Sequence, residues 1–233
     1  MMRTVFFMVT FVPWTLFVII TGVPLSFVNP NYFHSYCRIW GMVGLMLAGV
    51  KLKVSGQEHL QPNQPVVYMP NHQSNFDILA LFAGLSGQFR WLAKEELFHV
   101  PLFGMAMRRC GYISLDRGDR KKAVKSMYEA VRRIHEGTSV IIFPEGTRSV
   151  DGRLQAFKRG GFMLALKAQV PVLPVAIRGS IDIMSKDSCW IRGGSIEVTI
   201  LPALNSVGRK TADIETLMDQ LRRQIATTLE AAA

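Results

Sequence analysis

Between Thr4 and Cys37 the chain carries no Asp, Glu, Lys or Arg. A charge-free stretch of that length excludes an ordinary solvated surface segment and directs attention to a membrane. Cysteine is scarce. Cys37, Cys110 and Cys189 are odd in number and widely spaced, which excludes a disulfide framework and a CxxC metal site and points to a reducing compartment. Acidic residues are few: 17 Asp and Glu stand against 27 Lys and Arg, for a net charge of +10 over 233 residues. Such a balance suits nucleic acid, an anionic bilayer or an anionic substrate. There is no zinc-finger spacing and no basic run interleaved with aromatics, so the nucleic-acid class loses ground. No internal repeat or low-complexity segment is present.

What is there is apolar. Hydrophobic residues make up 49% of the chain, and the mean hydropathy is +0.20. Two apolar stretches lead it, 5–28 and 39–50, the first interrupted by Pro13 and Pro24. The first is long enough to cross a bilayer, for which about 20 residues suffice. Three forms are open: one spanning helix, a two-helix hairpin in one leaflet with its turn near Pro24, Asn29 and Pro30, or a cleaved signal peptide with Arg3 as its basic end. Arg38, Lys51 and Lys53 flank the second stretch and either meet headgroups or are simply solvated. The expected division is 1–50 as membrane-anchoring helices and 51–233 as a catalytic domain.

From Lys51 onward short β-rich runs alternate with helical segments. Strands are expected at 51–54, 66–69, 112–115, 139–143, 172–177 and 195–200, and helices at 74–85, 100–109, 121–135, 159–168 and 211–229. Continuous apolar runs such as 140–143 suit strands covered on both faces. The alternation predicts an α/β domain around a mostly parallel sheet.

Several segments carry candidate chemistry. Residues 71–77 read Asn-His-Gln-Ser-Asn-Phe-Asp, after one strand and before an apolar helix. Ser74 and Asp77 have capping-box spacing. His72 lies outside the helix, so its loop can fold back and bring the imidazole to Asp77. Histidine suits a general base near neutral pH, although a histidine beside a helix cap is often only a hydrogen-bonded turn residue. No third metal ligand accompanies the pair, and no G-x-S-x-G elbow makes Ser74 a nucleophile. Direct attack by an activated hydroxyl is therefore expected. Residues 143–149, Phe-Pro-Glu-Gly-Thr-Arg-Ser, form a turn after the most apolar strand. The backbone of Gly146 and Thr147 and the guanidinium of Arg148 suit a phosphate, while Glu145 suits a glycerol hydroxyl or the orientation of Arg148. Lys158 and Arg159 open a helix beside two glycines, another anion-binding pattern. Arg117 ends a strand and either clamps a phosphate or pairs with Asp116 or Asp119. Lys94 lies in a helix-rich stretch.

Together these segments resemble the glycerolipid acyltransferase family. Residues 71–77 match its H-x4-D motif, 111–117 its second motif, 143–149 its third, and the strand with prolines at 170–175 its fourth. All four stand in the family's order between residues 66 and 177. The resemblance implies an αβ acyltransferase domain behind a membrane-embedded helical segment. It implies His72 as base, Asp77 as its orienter and Lys94 as a donor to the developing oxyanion. Arg117, Glu145, Gly146, Thr147, Arg148, Lys158 and Arg159 would hold a glycerol phosphate. The acceptor is expected to be a lysophospholipid, with 1-acylglycerol 3-phosphate giving phosphatidic acid as the nearest branch. The acyl donor would be acyl-coenzyme A or an acylated carrier protein, acting as cosubstrate with no metal or cofactor. The cytoplasmic face of a bacterial inner membrane is the expected location. A different lysophospholipid or aminolipid acceptor, and a non-catalytic membrane lipid-binding module, remain as alternatives.

Overall fold

The computed structural model describes residues 1–60, 64–116 and 118–231. Arg117 lies outside the described residues. The apolar N-terminus forms helix α1, Met2–Val28, and helix α2, Pro30–Ala48. Asn29 caps α2, its side chain accepting from Asn31 N at 2.8 Å, and Pro30 stands in the first turn, where its missing N–H costs nothing. The result is a helical hairpin, in shape the second of the three forms the sequence left open. Where α2 packs on the domain, two glycines set the approach. A Cβ on Gly41 would lie 2.8 Å from the carbonyl of Leu79, and one on Gly44 3.1 Å from the Leu79 side chain.

Among the described residues seven strands follow: β1 Val50–Ser55, β2 Val67–Pro70, β3 Phe89–Lys94, β4 Ile113–Leu115, β5 Ser139–Ile141, β6 Val172–Arg178 and β7 Gly194–Ile200. They form one sheet in the order β1-β7-β6-β2-β5-β3-β4. The β6-β2-β5-β3-β4 portion is parallel; β7 runs antiparallel to β6 and carries β1 parallel to itself. The other helices are α3 Phe76–Gly84, α4 Glu95–Phe98, α5 Phe103–Arg109, α6 Arg120–His135, α7 Arg159–Ala168, α8 Ser180–Ile183 and α9 Ile214–Ala231. Two apolar layers sandwich the sheet. Leu79, Leu81 and Phe82 of α3 pack with Ile196 and Val198 on one face. Phe162 and Leu164 of α7 pack with Leu217, Leu221 and Ile225 of α9 on the other. Ile214, Leu217, Leu221 and Ile225, at helical spacing along α9, form one apolar stripe that is core.

Strand β3 has no counterpart among the expected strands. Lys94 within it is expected in a helix-rich stretch, and Arg90 in the same strand is only 3% exposed. Its guanidinium donates to Gln88 Oε1, to the Phe89 carbonyl and to Asn31 Oδ1 of the hairpin. Partners supplied from 59 residues away are invisible to a local pattern. Lys94 is accordingly the last residue of a strand and the N-cap of α4, not part of a helix.

Candidate active site

β2 and β5 lie side by side, with Val67 opposite Val140 and Tyr68 opposite Ile141. The segments that follow them therefore leave the same edge of the sheet together, where open α/β sheets hold their ligands. The first carries His72 and the second carries residues 143–149.

His72 Nδ1 donates to Asp77 Oδ2 at 2.7 Å. Asp77 is fully buried, and the same oxygen accepts from Gln73 N at 2.7 Å and Ser74 N at 2.9 Å. The bond from Ser74 N is half of the expected capping box. The other half differs: Ser74 Oγ accepts from Phe76 N at 3.2 Å, and it donates to the Met184 carbonyl. One buried carboxylate thus terminates the helix, folds the loop and fixes the imidazole tautomer. With Nδ1 protonated toward Asp77, the lone pair sits on Nε2, on the far side of the ring. The side chain of His72 retains 15% exposure. Its ring stacks on Phe143, with centroids 3.7 Å apart and planes within 10°.

The main chain of His72 is held as firmly as its ring. Its N–H donates to Glu145 Oε1 at 2.7 Å, and its carbonyl accepts from Ser149 N at 2.8 Å. Glu145 is 2% exposed, and its other oxygen accepts from Gln155 N at 2.9 Å. Both oxygens thus serve backbone amides, rather than the glycerol hydroxyl or Arg148 that the sequence suggested. Burial pushes its carboxyl up to about 7, against the lowering effect of the two amides.

Pro144 and Gly146 make the expected tight turn. Gly146 has φ +71°, which favours glycine. A Cβ there would lie 3.0 Å from Cδ and Cε of Lys158, so the Lys158 side chain passes directly over the turn. Lys158 N donates to the Pro144 carbonyl at 2.8 Å. Arg148 is half-buried and Thr147 exposed at the same turn. Arg148 and Lys158 therefore place two cations at the strand edge that holds His72. Arg159 points elsewhere, with Nε 3.3 Å from Glu215 of α9 across an exposed pair. Lys94 ends β3 at the same edge of the sheet, but its Nζ is 2.8 Å from Glu96 and faces solvent. Among the described residues no cluster of three His, Cys, Asp or Glu is placed to hold a metal ion.

Comparison with known proteins decides the family. The acyltransferase family model matches residues 51–178. The chain belongs to the acyltransferase family. It is 32% identical over 217 residues to the 1-acyl-sn-glycerol-3-phosphate acyltransferase alpha of Bos taurus, covering 92% of this chain and 76% of that one. The chloroplastic 1-acyl-sn-glycerol-3-phosphate acyltransferase BAT2 of Brassica napus is 35% identical over 90% of this chain and 61% of its own length. The crystal structure of the 1-acyl-sn-glycerophosphate acyltransferase PlsC from Thermotoga maritima superposes with a TM-score of 0.85. That pair shares 25% identity over 99% of this chain and 95% of that one. All seven strands and both N-terminal helices of this acyltransferase fall within the matched portion.

Sequence reasoning passed over several residues of the acyltransferase site. Asn71, Gln73, Ser149 and Gln155 all serve the loop that carries His72, Gln73 through a bond from Nε2 to the Gly152 carbonyl at 2.8 Å. Phe143 supplies the surface on which the imidazole lies. The only local signal was a polar residue directly after a buried strand at Asn71, and an aromatic directly before a Pro-Glu turn at Phe143.

Proposed function

We propose that this acyltransferase moves a fatty acyl chain from a thioester to the sn-2 hydroxyl of 1-acylglycerol 3-phosphate, giving phosphatidic acid. The observation that carries the reading is the 2.7 Å bond between His72 Nδ1 and buried Asp77, in a chain whose relatives bear that activity in their names. His72 Nε2 takes the proton of the acceptor hydroxyl. The oxygen attacks the thioester carbonyl, the C–S bond breaks, and the imidazolium returns the proton to the leaving thiolate. The donor is acyl-coenzyme A or an acylated carrier protein. Arg148 and Lys158, together with Arg117, meet the phosphate of the acceptor. Lys94 reaches the developing oxyanion only by leaving Glu96.

The hairpin supports a membrane setting. Helix α1 is long and apolar enough to cross a bilayer, and Val5, Phe6, Val9, Phe17 and Ile20 are each more than half exposed. Helix α2, however, is docked along the domain. Gln88 Nε2 bonds Ser35 Oγ at 2.8 Å near one end, and Gly41 and Gly44 meet α3 further along. A hairpin fastened along its length lies with its outer face in one leaflet, on our reading at the cytoplasmic side of a bacterial inner membrane.

The test is thiol release by purified protein given 1-acylglycerol 3-phosphate and acyl-coenzyme A, or acyl carrier protein as donor, beside His72→Ala. Release that needs the lysolipid and vanishes in the variant supports both acceptor and base. Full activity in His72→Ala removes the base. Preference for an acceptor without phosphate removes the clamp.

A further inference from the structure

Strand β2 ends at Pro70, opposite Val175 of β6. Strand β6 runs on to Arg178. Beyond Pro70 the main chain turns away toward the catalytic loop, so the N–H and C=O of Ile177 on that side have no strand to pair with. Ile177 is fully buried, and water cannot take the vacancy. The side chain of Asn71 does. Its Nδ2 donates to the Ile177 carbonyl at 2.9 Å, and Ile177 N donates to its Oδ1 at 2.7 Å.

A carboxamide carries the same planar donor and acceptor as a peptide group. Asn71 thereby continues the β2–β6 ladder for one more pair while its own backbone departs. No other side chain substitutes at that reach: ionised aspartate lacks the donor, serine lacks the planar pair, and glutamine is one methylene longer. The residue after this anchor is His72, whose N–H and C=O are held from the opposite side by Glu145 and Ser149. The main chain of His72 is therefore suspended between β6 on one flank and the segment after β5 on the other.

We propose that Asn71 is a positioning residue for His72. Asp77 sets the direction of the imidazole, and Asn71 sets where its Cα stands relative to the acceptor. The proposal rests on His72 being the base, and acts only through it.

The test uses the full-length protein carrying Asn71→Ala or Asn71→Gln. Three readouts are taken: kinetics for both substrates, the thermal midpoint, and the His72 Nδ1 proton signal in histidine-labelled protein, assigned with His72→Ala. A displacement of about 1 Å at a reacting group costs on the order of 100-fold, so kcat should fall by that factor in both variants. KM for both substrates should stay within about threefold, as for a group needed only in the transition state. The Nδ1 signal should shift or broaden. Asn71→Gln retains both hydrogen-bonding groups for Ile177 and decides the matter if Asn71→Ala fails to fold. A folded variant with kcat within about threefold of the parent overturns the proposal. So does a variant that loses kcat while the His72 signal stays in place. If His72→Ala remains active, the base reading fails first and separately.

Discussion

Replacing Asp77 by Asn tests the core of the proposed mechanism, because it removes the charge, although it also sets an amide NH2 where the buried Oδ1 has no hydrogen-bond partner among the described residues. The amide oxygen can occupy the position of Oδ2 and still accept from Gln73 N, Ser74 N and His72 Nδ1, the three bonds that Oδ2 accepts in the parent. What disappears is the negative charge that, on the proposed mechanism, faces the imidazolium formed during proton abstraction. With Nδ1 and Oδ2 2.7 Å apart, the two charge centres lie roughly 4 Å apart, and their attraction at an effective dielectric of about 20 is about 4 kcal/mol. Lost from the transition state alone, that is about 1,000-fold in kcat. Three bonds to a neutral rather than a charged oxygen also weaken the fold, by about 1 kcal/mol each at most. The thermal midpoint should drop while the circular dichroism spectrum is kept. Thiol release at saturating substrate gives kcat, and its dependence on each substrate gives KM, which should hardly change. A folded Asp77→Asn enzyme with kcat within about tenfold of the parent would refute the assignment of Asp77 as the charge behind His72.

Three other outcomes are expected. Arg148→Ala should raise KM for the lysolipid by about tenfold or more, the worth of a charge-assisted contact of about 1.5–3 kcal/mol, and leave KM for the thioester unchanged; titrating each substrate separately checks this. Glu145 holds its proton to about pH 7 in the folded protein, whereas an unfolded glutamate releases it near pH 4.3. The folded chain binds more protons across that window, so stability contributed by this residue falls as pH rises through it, and Glu145→Gln should flatten that slope in denaturation midpoints measured from about pH 5 to pH 7. Gly41→Ala places a Cβ 2.8 Å from the Leu79 carbonyl and should destabilise hairpin docking by about 1–3 kcal/mol, read as a lower melting temperature in detergent.

Much of this enzyme is written in local pattern. The apolar N-terminus, the helix turn at Asn29–Pro30, the apolar strands, the stripe of the last helix and the spacing from His72 to Asp77 are all readable within a few residues. Each reflects a short-range cause: helical or strand periodicity, capping, or a proline without an N–H. His72 and Asp77 stand five residues apart, so their meeting needs only one loop to close over one helix start.

The remaining features depend on partners far along the chain. Glu145 reaches His72 across 73 residues, and Asn71 reaches Ile177 across 106. Arg90 could be buried in a strand only because Asn31 and Gln88 receive its guanidinium. Composition and spacing established which residues were available and what chemistry they suit. Tertiary structure decided that Glu145 faces inward to a backbone amide, that Arg159 turns to Glu215, and that Asn71 completes a strand. The physical reason is strand order. Which strand lies beside β2 is settled by the packing of two apolar layers over the whole sheet, and no local pattern contains that information.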